Sequence, residues 1–266
     1  MYSFEYQKPT DVKSAVQAAS AGGENKFIAG GMTLLPTLKL RLARPDRLVD
    51  LGGLAELAGI RVERDRIEIG AMTRHADVAH SAELRRALPA LASLAGGIGD
   101  PLVRNRGTIG GSIANNDPAA DYPSAVLGLG GTVVTDRREI AGDDFFTGMF
   151  STALGAGELI TRLRFPIPKR AAYVKFPNPA SRYAMVGVFV AETASGVRVA
   201  VTGAGPCVFR VAAFEAALAK RFAAESLEGL SVPADGLNQD LHGSAEYRAN
   251  LVSVIAKRAV AAALAG

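Results

Sequence analysis

Two short apolar runs in this chain break into a glycine doublet followed by a hydroxyl residue: "FIAGGMTLLP", from Phe27 to Pro36, and "GTIGGSIANNDPAADYP", from Gly107 to Pro123. A doublet at the end of a β-like run spends two positions on residues that pack nothing, so the backbone there must turn tightly or approach something closely. Consecutive N–H groups in such a turn, next to a helix start, form a concavity for anionic oxygens. Two concavities suit a diphosphate, and Thr33 and Ser112 stand where their hydroxyls can add donors. For either segment alone a tight packing turn is the other reading.

The elements around these segments alternate. Thr10 or Asp11 can cap a helix "DVKSAVQAASAG", and "KFIAG" reads as a short buried strand feeding a helix "TLLPTLKLRLA" with Pro36 in its first turn. "RLVDL" predicts a strand and "IRVERDRIEIG" a hairpin about Arg64 and Asp65. Thr73 is expected to cap a long helical region broken near Pro89. A helix "YPSAVLGLG" and the strands "TVVTD" and "LITRLRFP" follow the second glycine segment. After Pro168 the character changes: "AYVKF", "YAMVGVFVAE" and "GVRVAVTGAG" predict a three-stranded antiparallel sheet, and two further stretches have helical periodicity. The expected class is α+β, with a domain boundary near residue 169.

Composition removes several function classes. A chain of 266 residues with 48% hydrophobic and 21% charged residues can bury a sizeable core in one or two domains. No apolar stretch approaches a membrane span, and "MYSFEYQKPTDV" lacks a basic and apolar leader, so a cytoplasmic chain is expected. The net charge of +4 is carried by dispersed arginines without aromatic interleaving, a pattern that disfavours nucleic acid. Cys207 is the single cysteine and cannot alone hold an iron–sulfur cluster or a structural zinc, so any such centre belongs to another chain. Neither Gly128/Gly130 nor Gly203/Gly205 completes a dinucleotide fingerprint, because Val133 and Val208 stand at the third position. His75, His80 and His242 form no metal or nucleophile motif and read as structural or surface residues.

The stretches "AGGMTLLPTLKLRLARPDRLVDL", "RNRGTIGGSIANNDPAADYPSAVLGLGGTV" and "SAEYRANLVSVIAKRAV" resemble the FAD-binding medium subunit of the molybdenum hydroxylases, the family of carbon monoxide dehydrogenase and xanthine dehydrogenase. The resemblance runs over essentially the whole chain. It implies an FAD-binding domain of the vanillyl-alcohol-oxidase (PCMH) type over residues 1–168, with two subdomains divided near 55, and a C-terminal domain over residues 169–266. It further implies non-covalent FAD in this chain, the molybdenum cofactor on a large partner subunit, and [2Fe-2S] clusters on a small one. The complex expected is a dimer of heterotrimers without nucleic acid or an integral membrane segment.

Residue roles follow from the same resemblance. Ile28, Ala29, Gly30, Gly31, Met32, Thr33, Leu34 and Leu35 are similar to one half of a pyrophosphate cradle. Thr108, Ile109, Gly110, Gly111, Ser112 and Asn115 are similar to the other half. Asp121 resembles an acid that contacts the dinucleotide, its other reading being an N-cap for the helix at Tyr122. Ile160 matches an apolar backbone contact, Lys175 a lysine near the flavin ring, and Tyr183 either a neighbour of that ring or a core tyrosine. Met32 stands where many relatives carry a polar residue. The family implies electron transfer, with no general acid or base in this chain; a stand-alone flavin reductase on the same fold and a non-catalytic interaction protein are the alternatives.

Overall fold

The computed structural model describes residues 1–266. After strand β1 (Glu5–Gln7), Asp11 starts helix α1 (Val12–Ser20) by accepting the Ser14 N–H at 2.7 Å. Strand β2 (Asn25–Ile28), helix α2 (Leu34–Lys39) and strand β3 (Arg47–Asp50) complete a parallel three-stranded sheet of order β1-β3-β2. Helix α2 is shorter than its sequence suggests, because Arg41 turns out of helical geometry with φ 60°. Ala15, Ala18, Val49 and Leu51 form the core beneath this sheet.

The hairpin about Arg64 and Asp65 is present as β4 (Ile60–Val62) and β5 (Arg66–Gly70). The long helical region is three helices, α3 (His75–His80), α4 (Ala82–Ala87) and α5 (Pro89–Gly96). It breaks at Ser81, whose hydroxyl caps α4 through the Leu84 N–H, as well as at Pro89. Thr73 caps none of them: its Oγ1 accepts the Gly59 N–H at 2.9 Å and ties the hairpin to the loop entering α3.

Helix α6 (Pro101–Arg104) leads to α7 (Ile109–Asn115), which contains the second glycine doublet, and then to α8 (Tyr122–Leu129). Strands β6 (Thr132–Thr135) and β7 (Glu139–Ala141) precede a helical turn α9 (Gly142–Phe145) and the small hairpin of β8 (Phe146–Gly148) and β9 (Ser151–Thr152). Strand β10 (Ile160–Pro166) then lies at the middle of an antiparallel sheet of order β4-β5-β10-β6-β7. Residues 136–159 carry no periodicity that announces these pieces. Polar contacts fix them instead: the buried Glu158 carboxylate takes the Thr135 hydroxyl at 2.8 Å, the Gly155 N–H at 2.8 Å and Arg138 Nε at 3.0 Å. The Arg138 hydrogen bonds hold the Glu158 carboxyl down to about 2.

The last sheet contains β11 (Arg170–Pro177), β12 (Ala184–Thr193) and β13 (Gly196–Thr202). A fourth strand, β14 (Phe209–Arg210), pairs with β13, so the sheet has four antiparallel strands where three were expected. Two residues are too few to leave an alternating pattern. Helices α10 (Ala212–Lys220) and α11 (Ala245–Ala265) cover one face, where Val186, Val188 and Val190 enter their core. The alternate residues Phe189 and Ala191 enter the core of the preceding sheet. β12 is therefore buried on both faces, which is why it reads as a continuous apolar run. No helix is long and apolar enough to cross a membrane.

Candidate functional site

The loop between β2 and α2 leaves its backbone donors open. The N–H groups of Ala29, Gly30, Gly31, Met32 and Thr33 reach no acceptor within the chain. Gly31 has φ +73°, the left-handed geometry that aims successive amides toward one side. The Thr33 side chain makes no cap bond, so its hydroxyl is also free. Such a run survives near the surface only if water or a ligand accepts those hydrogens.

The second segment is built differently. Thr108 is the N-cap of α7 and its Oγ1 accepts the Gly111 N–H at 3.2 Å, so Gly110 and Gly111 belong to the first turn of a helix and not to a turn after a strand. The Ile109 and Gly110 N–H groups donate to Thr73 O and Ala71 O at 3.1 and 2.9 Å, and Ser112 N–H to Thr108 O at 3.0 Å. Little amide capacity remains here. What α7 presents is side chains, half-buried Ser112 and Asn115 one turn apart, and the absence of a Cβ at Gly111.

The two segments meet. A Cβ at Gly30 would lie 2.0 Å from Arg106 O and 2.9 Å from Gly107 Cα, so only glycine lets the first loop press against the chain entering α7. A Cβ at Gly111 would find only Thr108 Oγ1 at 2.9 Å and Ala29 Cβ at 3.5 Å. Gly111 therefore faces the gap between α7 and the open amides.

At the start of α8 lies a buried charge pair. Asp121 is 4% exposed, and Lys175 Nζ stands 3.0 Å from its Oδ1 while also donating to Gly97 O at 2.9 Å. The Tyr173 hydroxyl donates to the same carboxylate. Tyr173 and Lys175 are two residues apart on β11 and so share a face, a period-two relation that the sequence already carries. Burial pushes the Asp121 carboxyl up, against the pull of the Lys175 ammonium and the Tyr173 hydroxyl. Asp121 occupies the N-cap position of α8 but its carboxylate makes no cap bond, so the capping reading is not realised.

Ile160, 4% exposed, opens β10, and the carbonyl of its neighbour Thr161 accepts the Ala71 N–H at 3.0 Å; Ala71 in turn docks Gly110. Leu34 and Leu35 begin α2. Tyr183, 46% exposed, stands on the wall of a cavity of about 530 Å³ with Asp117, Asn178 and Arg248, where burial and then the Asp117 and Asp121 charges push its hydroxyl up. Asn116, which the sequence did not single out, adopts φ 44° and donates from Nδ2 to Gly148 O and Ser151 O at 2.8 and 2.7 Å, tying the β8–β9 hairpin to the end of α7.

His75 is structural, as expected: its ring lies 5.3 Å from that of Tyr122, and burial followed by the Arg104 charge pushes it down to about 4. The unfolded chain then takes up the proton first, so stability is full above the ordinary 6.5 and is lost as pH falls toward 4. The loss reaches about 3 kcal/mol. His75→Leu should flatten the fall of Tm with acidification across that window, and an unchanged slope would contradict this assignment.

Comparison with known proteins matches this geometry to a family. Residues 2–168 match the model of the FAD binding domain in molybdopterin dehydrogenase. The chain is 36% identical to the nicotine 6-hydroxylase medium subunit of Paenarthrobacter nicotinovorans, over 97% of this chain and 96% of that one. It is 35% identical to the carbon monoxide dehydrogenase medium chain of Hydrogenophaga pseudoflava, over 98% and 97%. It superposes on a chain of the reconstituted CO dehydrogenase from Oligotropha carboxidovorans with a TM-score of 0.91 at 32% identity, covering 99% of this chain and 98% of that chain. The open amides beside a helix without a Cβ at Gly111, and these matches along the chain, lead to one conclusion: the protein belongs to the family of FAD-binding subunits of molybdopterin dehydrogenases.

Proposed function

We propose that this chain carries FAD and passes electrons from the [2Fe-2S] clusters of a small partner subunit to an external acceptor, within a complex whose large subunit holds the molybdenum cofactor. The observation that carries the reading is the run of unsatisfied amides from Ala29 to Thr33, set against the Cβ-free wall of α7 at Gly111. Those amides would hold the diphosphate oxygens, with Thr33 and Ser112 adding hydroxyls and Asn115 an amide. Met32 brings no polar side chain to the loop, but its backbone N–H has no acceptor in the chain and is free to donate.

Bound FAD would supply two-electron redox chemistry that no side chain of the chain provides. The residues position and tune. The Lys175 ammonium, paired with Asp121, would present the dipole of an ion pair to a ring placed beside it, weaker than the field of a free cation. The pair also clamps β11 to the ends of α5 and α8, which holds the wall of such a site still.

In this reading residues 1–168, divided near 55, form a PCMH-type domain, residues 169–266 form its C-terminal companion, and the complex is a cytoplasmic dimer of heterotrimers. The stand-alone reductase is not favoured, because relatives matched over nearly their whole length are named as medium subunits or chains. Heat or acid precipitation of the purified protein should release FAD at about one per chain into the supernatant. Recovery of FMN alone, or of no flavin from a folded complex, would overturn the proposal.

A further inference from the structure

The end of α2 carries a surface that nothing in the chain covers. The Arg41 N–H donates to Leu38 O at 3.1 Å and the Leu42 N–H to Thr37 O at 3.0 Å, so the helix closes in a Schellman motif with Arg41 at its left-handed position, φ 60°. Glycine takes that conformation freely, whereas an arginine holds it against its own Cβ. The residue that follows is commonly apolar because it folds back on the last helical turn. Leu42 does not fold back: it is 75% exposed, and Leu40, two residues before it, is 70% exposed. The motif gives its strained position to a cation and turns its apolar residue outward.

The charge around these leucines has one sign. Arg41 and Arg44 both stand over the ring of Tyr2, at 5.6 and 5.3 Å from its centroid. The ion pairs of this part of the chain join Lys26 to Glu24 and Arg47 to Glu5, and Lys39, Arg41 and Arg44 enter none. Two protruding leucines beside a tyrosine and uncompensated cations make an apolar centre with a basic rim, the anatomy of a protein-binding face. Guanidinium groups gathered over one ring keep their direction, which suits the fixed carboxylates of a folded partner. A fluid lipid surface gains nothing from such fixed forks.

Position in the fold selects the partner. Helix α2 is six residues long, about 9 Å, and its other end is Thr33, the last of the open amides. A chain seated on this face therefore lies next to the diphosphate loop, where a subunit that exchanges electrons with the flavin has to be. We infer that the face formed by Tyr2, Leu40, Leu42 and the cations around them docks an acidic patch of the small [2Fe-2S] subunit. The leucines enter the centre of that patch, and Lys39, Arg41 and Arg44 pair with the carboxylates at its edge. The inference rests on the reading of the chain as the flavin carrier of a three-subunit complex, because it names the face at which that complex is joined.

The test produces the complex with each form of this chain and follows its dissociation on dilution, by mass photometry, at low and at high salt. In the parent the small subunit should leave more readily as salt rises. Arg41→Gly relieves the left-handed strain, so Tm should hold or rise while the dissociation constant for the small subunit increases about tenfold and its salt dependence flattens. Leu40→Ser/Leu42→Ser removes two side chains already in water and should weaken the same contact by at least about tenfold. The flavin-to-protein ratio should stay unchanged in both. Undiminished affinity in either variant, or loss of the large subunit in place of the small one, would overturn the inference. So would self-association of the isolated chain that the variants abolish, or its sedimentation with equimolar phosphatidylcholine–phosphatidylglycerol vesicles. A parent chain that joins no such subunits would instead overturn the reading beneath it.

Discussion

Replacing Gly111 by valine should strip the protein of flavin while leaving the apo fold within about 1 kcal/mol of its parent. Gly111 sits in the first turn of α7 at ordinary helical φ, so a side chain there meets no backbone strain. The new Cβ would crowd only the Thr108 hydroxyl, a side-chain atom that can rotate at the cost of one cap bond. Its methyls would occupy the gap between α7 and the open amides of Ala29 to Thr33. Flavin affinity should drop by two orders of magnitude or more, about 3 kcal/mol, because an oxygen and a methyl cannot share that space. Gly30 is the wrong position for this test: its Cβ would strike Arg106 O at 2.0 Å, and loss of flavin would be inseparable from misfolding. Gly22 is the control, since a Cβ there has nothing within 4 Å and the residue has no positive φ. Full flavin content in Gly111→Val would remove α7 from the site.

Lys175→Met should cost about 3–5 kcal/mol of stability at neutral pH, because it leaves the Asp121 carboxylate buried with only the Tyr173 hydroxyl to hold its charge. Burial already pushes that carboxyl up, and loss of the ammonium pushes it further, so the variant should take up a proton and regain stability on acidification. The double variant Asp121→Asn/Lys175→Met removes both charges and should recover most of the loss, within about 1–2 kcal/mol of the parent. Urea unfolding at two pH values measures all four corners of the cycle. Simple additivity, with the double variant as unstable as the sum of the singles, would show that the pair is not coupled.

The first loop was legible because its cause is local: an apolar strand, a doublet, a hydroxyl and a helix start succeed one another along the chain. The second doublet looked the same and is not. Gly110 is glycine because a Cβ would lie 2.5 Å from that of Ala71, some forty residues away, and no pattern around residue 110 records that neighbour. Thr73 likewise reads as a cap by its flanking residues, but its hydroxyl is taken by Gly59 across the sheet. The strands of the last sheet were found where they run for seven residues or more and missed at β14, which has two. Lys175 and Asp121 could be named from resemblance, but their pairing, and the part of Tyr173 in it, depends on β11 running past the end of α5 and the start of α8.

Amide hydrogen exchange across residues 27–36 tests the central claim most directly, by comparing the apo chain with the FAD-loaded one. The amides of Ala29 to Thr33 have no acceptor in the chain and should exchange rapidly in the apo form. On loading they should slow by at least about tenfold, while those of Ile109 to Ser112, already bonded to Thr73, Ala71 and Thr108, should change much less. Unchanged exchange in Ala29 to Thr33 in a chain that demonstrably carries FAD would contradict the assignment of this loop as the diphosphate cradle.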